Sequence, residues 1–316
     1  MWSAVLAKEF SSRLQSRVAY AVLTILVASF SALTLGAFWL LVSTVPTIVP
    51  VIGSSVGSGG GTTLPTLVVG YRGVFLFIAM GLSLLCALFV IAPAISSSAI
   101  SSEREQGTFD ILISSGASGR GVILGKVVAA GLFIALLLLT TAPGFSVAWY
   151  YGGVGWGEII PALAVTLTSL WLLVCFGVFI SAFTRSSMLA ALYAYCGVFL
   201  LAFGTLGVYI IGASLQMEAF VRPLLILNPF ASLVTVPEAI STQVAQVLPF
   251  QYRALLDQPM VELGGLPLRL PRWTSTSIVF LLAGLILTLI TAIVVDPCDG
   301  FKARLTSRVS RAGEQA

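Results

Sequence analysis

The sequence predicts an all-α polytopic membrane protein with six transmembrane helices, and two observations lead to this fold class. Of its 316 residues, 58% are hydrophobic and 9% are charged, whereas soluble domains carry about 25% charged residues. The charges are also separated by six uncharged runs, each longer than the roughly 20 residues that a membrane-spanning helix needs. These runs are 18–71, 73–102, 127–157, 159–184, 186–217 and 273–295. A soluble globular protein, including one that binds nucleic acid, is therefore excluded.

The segment before the first run, residues 1–17, is predicted to form an amphipathic helix in the membrane interface. Its apolar residues recur at helical spacing on one face, while Lys8 and Gln15 lie away from that face. The apolar residues are Trp2, Val5, Leu6, Phe10 and Leu14. The alternative interpretation is an ordinary basic flank that fixes the topology.

The six spans are predicted at about 18–43, 73–98, 127–150, 159–183, 188–213 and 274–295. Residues 44–72 contain three prolines and a glycine-serine stretch, which a lipid-exposed helix does not tolerate, so we predict an exterior segment there. Prolines also divide residues 214–273, where re-entrant or surface helices are expected before span 6. The whole chain, 1–316, is expected to form one transmembrane domain.

The distribution of Lys and Arg predicts the orientation. Of the 16 basic residues, 11 lie on the side of the termini and 5 on the other side, and cytoplasmic loops carry the excess of basic residues. Both termini are therefore expected in the cytoplasm, with residues 296–316 as a basic cytoplasmic tail.

The sequence offers no catalytic constellation. It has no histidine, and its four cysteines lie within the predicted spans or at the end of the last one. No P-loop or HExxH motif is present. We therefore predict no catalytic, cofactor-binding or metal site in this chain, which is not expected to be an enzyme. The predicted spans contain no charged side chain, which argues against ion-coupled transport and suits a hydrophobic or amphiphilic substrate.

One cytoplasmic loop, between spans 2 and 3, concentrates charge in a chain that otherwise avoids it. Glu103, Arg104, Glu105 and Asp110 fall within eight residues and are followed by apolar residues. We predict a helix over 103–114, capped by a serine at 101 or 102. Its exposed apolar face, rimmed by charge, is expected to be a docking surface. The alternatives are a solvated face that holds topology, or local pairing of Arg104 with either neighbouring acid.

This loop resembles the signature of ABC-2 type permeases, the membrane subunits of ATP-binding-cassette transporters. The similar residues are Glu103-Arg104-Glu105-Gln106-Gly107-Thr108, Phe109-Asp110-Ile111-Leu112-Ile113 and Gly125-Lys126. Asn228-Pro229-Phe230 and the order of the predicted elements also resemble that family. Residues 115–120 depart from it, because they carry glycine where the family often has proline.

The resemblance implies a separate cytoplasmic ATPase, which would bind ATP and Mg²⁺ and dock on the coupling helix between spans 2 and 3. The residues implied in docking are Glu103, Arg104, Glu105, Gly107, Thr108, Phe109, Asp110 and Leu112. It also implies export across a prokaryotic cytoplasmic membrane by a pair of permeases, a homodimer or two similar subunits.

Three glycines of span 5 are candidates for the contact between two permeases, namely Gly197, Gly204 and Gly207. Small residues let helices approach closely in membranes. Packing within one chain is the alternative interpretation of these glycines. The second hypothesis for the whole protein is a membrane anchor or scaffold subunit of a larger machinery, which keeps the ABC-2 fold without translocating a small molecule.

Overall fold

The computed structural model describes residues 64–108, 119–139, 141–152, 154–237, 261–262 and 269–295, together with single positions between 21 and 39. Those single positions are helical and fall within the first predicted span. The predicted interfacial helix, 1–17, and the basic tail, 296–316, lie outside the described residues.

Helices account for almost all of the described chain. They are α1 (Leu64–Ser96), α2 (Ser101–Glu105), α3 (Gly119–Leu139), α4 (Ala142–Tyr150), α5 (Trp156–Phe183), α6 (Ser187–Phe199), α7 (Thr205–Ser214), α8 (Glu218–Val221), α9 (Pro229–Val234) and α10 (Arg272–Val295). A π-helical turn, Leu200–Gly204, joins α6 to α7, and a 3₁₀ turn, Arg222–Leu227, separates α8 from α9. Strands β1 (Val261–Glu262) and β2 (Arg269–Leu270) pair antiparallel, with Val261 opposite Leu270.

Four stretches of the described chain are long and apolar enough to cross a membrane, so the protein is a multi-pass membrane protein. They are Gly73–Glu105, Trp156–Phe183, Ser187–Ser214 and Arg272–Ile293, and the shorter Gly121–Leu136 is also apolar. The first stretch ends in three charged residues, and we place that end outside the span because charged side chains are costly in lipid. Six spans remain a prediction.

Helix α5 lies at the centre of the bundle. It contacts α1, α3, α6, α9 and α10. In its most apolar stretch 61% of the residues are buried, against 33% in Ser187–Ser214 and in Arg272–Ile293. Such a helix is apolar on all sides because it has no face toward water. The other helices therefore take their positions from α5.

The contact between α1 and α5 is close enough to require glycine. A Cβ on Gly177 of α5 would overlap the hydroxyl of Ser96, the last residue of α1. The Ser96 hydroxyl donates instead to the Ala92 carbonyl, at 2.7 Å, within its own helix. Small residues of this kind let helix backbones approach in a membrane, where packing replaces the hydrophobic effect. The end of α1 is thereby fixed beside the last two turns of α5.

Two helices differ in extent from the predicted segments. Helix α1 begins at Leu64, with Pro65 in its first turn, a favoured position for proline; residues 64–72 of the predicted exterior segment are therefore helical. The predicted span 127–150 is divided into α3 and α4, because Pro143 lacks the N–H that a continuous helix would need. The break at Thr141 is closed by its hydroxyl, which donates to the Leu138 carbonyl at 2.6 Å.

The short helices before α10 pack into the bundle. Leu233 of α9 is 1% exposed and lies against Gly81 in the middle of α1. Asn228, at the start of α9, is fully buried. Its Nδ2 donates to the Ala202 carbonyl (2.7 Å), within the π-helical turn, and to Thr205 Oγ1 (2.8 Å), while its Oδ1 accepts from the Ala231 N–H (2.9 Å). One side chain thus joins α9 to the α6–α7 rod.

Replacing Gly177 with valine should lower the thermal stability of the detergent-solubilised protein. The new side chain would overlap Ser96 where α1 meets α5, and such overpacking costs about 1–3 kcal/mol. The matched control is Gly131→Ala in α3, where nothing lies within 4 Å of the added Cβ. That change should be neutral or stabilising by up to about 1 kcal/mol. The measurement is the midpoint for loss of the monodisperse gel-filtration peak on heating, and equal midpoints would contradict the close contact.

Candidate functional site: the charged segment after α1

The charged segment, residues 101–108, consists of helix α2 and the turn that ends it. The helix begins at Ser101 and ends at Glu105, so the helix predicted over 103–114 is wrong in its bounds. Gly107 has a φ of +69°, a left-handed conformation that glycine adopts readily and that terminates helices. Phe109, Asp110 and Leu112 lie outside the described residues.

The start of α2 is capped by another helix and not by its own serines. The backbone N–H groups of Ile100 and Ser101 both donate to Ser181 Oγ of α5, each at 2.9 Å. Ser101, predicted as a cap, lies inside the helix, and its hydroxyl donates back to the Ser97 carbonyl at 3.1 Å. The first N–H groups of a helix need acceptors, and here a residue 80 positions away supplies one.

Glu103 forms an ion pair with Lys126 of α3. The distance from Lys126 Nζ to Glu103 Oε1 is 2.7 Å, and the two side chains are 3% and 25% exposed, respectively. A buried lysine is strongly disfavoured without a counter-charge. The pair lets the neutralised lysine lie buried within α3, which begins at Gly119, before the predicted start of the span at 127.

Arg104 binds the end of α5. Its Nη1 donates to the Ala182 carbonyl at 2.6 Å. The last carbonyl groups of a helix lack partners within the helix and carry partial negative charge, so a guanidinium satisfies both requirements. One acceptor of Arg104 is thus the backbone of a distant helix, and Asp110, one of the two partners that the sequence suggested, lies outside the described residues.

Glu105 caps the start of α6. Its Oε1 accepts from the backbone N–H of Ser187 at 3.0 Å, and its Oε2 accepts from the Ser187 hydroxyl at 2.6 Å. A carboxylate is stabilised at a helix N-terminus, where free N–H groups and the helix dipole favour negative charge. The hydrogen bonds from Ser187 hold the pKa of Glu105 below its usual range.

The structure therefore attaches Glu103, Arg104 and Glu105 of α2 to three different helices of the same chain, namely α3, α5 and α6. Glu105 is exposed, as are Gln106, Gly107 and Thr108, but Glu105 is the last residue of the segment whose side chain is bound to another described helix. Sequence reasoning did not pair these side chains with the groups that receive them, namely Lys126, the Ala182 carbonyl and Ser187. The sequence offered one signal for such a contact, because Lys126 directly precedes a long apolar run.

The three candidate interface glycines have different surroundings. Gly197 packs against the Phe176 ring of α5, within the chain, and Gly204 lies beside Leu200 in the π-helical turn. Nothing lies within 4 Å of a Cβ built on Gly207. Large apolar side chains around it are exposed, among them Phe203 at 60% and Ile211 at 62%. Of the three glycines, Gly207 is therefore the one that the described part of the chain leaves uncovered and accessible to a second permease.

The described residues contain no group of three or more Asp, Glu, Cys or His that could hold a metal ion. In a comparison with protein families, the family model described as ABC-2 family transporter protein matches residues 3–295. A search of the curated proteins finds no match.

Replacing Glu103 with glutamine should destabilise the protein more than replacing Lys126 with methionine. Glutamine leaves the buried ammonium without its counter-charge, which costs about 3–5 kcal/mol, whereas Lys126→Met leaves a carboxylate that is 25% exposed. The double variant should be more stable than Glu103→Gln alone. Thermal midpoints of the four proteins in detergent form the double-mutant cycle, and strictly additive effects would argue against the ion pair.

Proposed function

We propose that this chain, which belongs to the ABC-2 family of transporter proteins, is the permease subunit of an ABC transporter driven by a separate cytoplasmic ATPase. The family match over residues 3–295 is the observation that carries the proposal. ABC-2 permeases are membrane components of transporters, are not themselves catalytic, and generally partner with a cytoplasmic ATPase. ATP and Mg²⁺ would accordingly be bound by the partner.

The proposed topology has six spans and both termini in the cytoplasm. Four membrane-length helices, together with the apolar helix Gly121–Leu136, support it. The helical positions between 21 and 39 agree with a further span before them. The excess of basic residues on the side of the termini orients the charged segment toward the cytoplasm. The membrane would be the cytoplasmic membrane of a prokaryote.

The proposed docking region for the ATPase is the loop between α1 and α3. Its described part ends in three exposed residues, Gln106, Gly107 and Thr108. Phe109, Asp110 and Leu112 follow and would supply the apolar and acidic part of the contact. A loop that is held to the bundle at one end and exposed beyond it is suited to receive a partner without losing its own position.

The proposed substrate is hydrophobic or amphiphilic, and the proposed direction is export. Between its ends, the buried side chains of α5 are apolar or carry hydroxyl groups, with no charge among them. Their hydroxyls are satisfied within the helix, as in Thr166 to the Ala162 carbonyl (2.8 Å) and Ser169 to the Val165 carbonyl (2.6 Å). These side chains of α5 offer no counter-charge to an ion.

A second permease, either an identical copy or a similar subunit, would complete the transporter. The open position at Gly207 and the exposed apolar side chains of α6 and α7 support a contact on this face. In a membrane such side chains also tolerate lipid, so the stoichiometry has to be measured.

Copurification tests the proposal. We would tag the chain in its native host, extract membranes in mild detergent, and measure the mass and composition of the complex. The expected result is one cytoplasmic ATPase for each permease, in a two-plus-two assembly. A parallel preparation of a tagged, unrelated multi-pass protein from the same membranes controls for adventitious capture.

A homo-oligomer without an ATPase, from cells that express the native partners, would contradict the transporter assignment. It would favour the second hypothesis, a membrane anchor or scaffold subunit.

A further inference from the structure

We propose that Glu103, Arg104 and Glu105 are positioning residues that hold the charged segment to the bundle, and that the surface which contacts the ATPase begins at Gln106. The inference rests on the proposed function. It divides residues that the family resemblance placed together in one docking site. The division follows from where each side chain is bound in the structure.

The acidic and basic groups of α2 are already engaged within the chain. Both carboxylate oxygens of Glu105 accept hydrogen bonds from Ser187, and Arg104 donates to the Ala182 carbonyl. Glu103 is paired with Lys126. Glu105 is exposed, but both of its oxygens already accept hydrogen bonds. An ATPase that bound these groups directly would therefore compete with charge-assisted contacts, which are among the stronger hydrogen bonds in proteins.

Arg104 and Glu105 attach to the two sides of one corner. Ala182 lies near the end of α5, Ser187 begins α6, and only residues 184–186 connect the two helices. The corner is itself closed by Thr184, whose N–H and hydroxyl both donate to the Ile180 carbonyl. A displacement of α2 would therefore act on the end of α5 and on the start of α6 at once.

The two helices at this corner differ in their surroundings. Helix α5 is the most buried of the membrane-length helices, whereas the rod of α6 and α7 is among the least buried. Glu105 consequently joins the charged segment to a peripheral helix that begins at Ser187, while Arg104 joins it to the central one. In this arrangement, a displacement of the loop can move the α6–α7 rod relative to α5.

Within the described part of the chain, the residues at the exposed end of the segment form hydrogen bonds only within the segment. Gln106 Nε2 donates to Ser102 Oγ at 3.3 Å, and Thr108 Oγ1 donates to the Glu103 carbonyl at 3.3 Å. Both bonds are long and stay within the segment, so neither side chain holds it to another helix. Their exposure leaves them available to a partner.

The test separates the affinity of the ATPase from its maximal stimulated rate. The permease is reconstituted in nanodiscs and titrated with the ATPase subunit that copurifies with it. Glu105→Ala and Ser187→Ala should each lower the maximal permease-stimulated ATPase rate, by about 5-fold or more for Glu105→Ala, with an unchanged half-saturating concentration. The double variant should be no worse than Glu105→Ala, because both substitutions remove the same contact.

Variants of the exposed end are the matched comparison. Gln106→Trp and Thr108→Trp should raise the half-saturating concentration by about tenfold, a loss of the size seen at strongly contributing interface residues, with the maximal rate retained. A purely structural defect would lower the amount of folded permease without producing this division between rate and affinity. Ser187→Ala keeps the backbone bond to Glu105 and is the milder variant if Glu105→Ala does not fold.

The outcomes distinguish this inference from the proposed function. Failure of the unchanged chain to copurify with an ATPase would overturn the proposed function, and this inference with it, before any variant is made. If the complex forms and Glu105→Ala raises the half-saturating concentration at constant maximal rate, Glu105 contacts the ATPase and the positioning role is wrong. If the complex forms and neither quantity changes, the contact with Ser187 has no role in coupling.

Discussion

The close approach of α1 to α5 is the constraint on which the arrangement of the charged segment depends. Gly177 admits Ser96 at the helix crossing, and one turn later Ser181 accepts both leading N–H groups of α2. A larger residue at 177 would move the end of α1 away from Ser181. The contacts of Arg104 and Glu105 with the following corner would then be out of reach as well. The position of the charged segment therefore depends first on the packing of α1 against α5, and only then on the contacts of its charged side chains.

The buried polar groups of this chain find their hydrogen-bond partners in two ways. Along the spans, threonine and serine hydroxyls donate to carbonyls one turn earlier, as Thr291 does to Leu287 at 2.7 Å. At the start of α2 and at the π-helical turn, a side chain from a distant part of the chain completes the hydrogen bonding. Ser181 does this for α2 and Asn228 for the π-helical turn. Such joints matter because an unsatisfied backbone group in hydrocarbon costs several kcal/mol.

Most of the helix positions that could be predicted from the sequence were predicted from the positions of charged residues and prolines. Helices α5 and α10 and the α6–α7 rod lie within three residues of the expected spans, since charged or polar residues bound those runs on both sides. Helix α3 extends beyond the predicted span, to Gly119, and Lys126, which bounded that span, is paired with Glu103, 23 residues away. The bounds predicted for α2 were wrong because the contacts that fix this helix come from Ser181, Ala182 and Ser187. Local sequence carries no signal of residues 80 positions distant.

A chain with 9% charged residues places three of its charges in the five residues of α2, and their positions indicate why. Each charge faces a group that apolar side chains could not bind: an ammonium, a helix C-terminal carbonyl and a helix N-terminus. Apolar packing alone leaves a short helix free to slide along its neighbours, because dispersion has little directionality. Charge-assisted hydrogen bonds do have direction, and four of them, to three helices, define one position for α2. For a segment that transmits a displacement, a fixed position relative to its neighbouring helices matters more than burial.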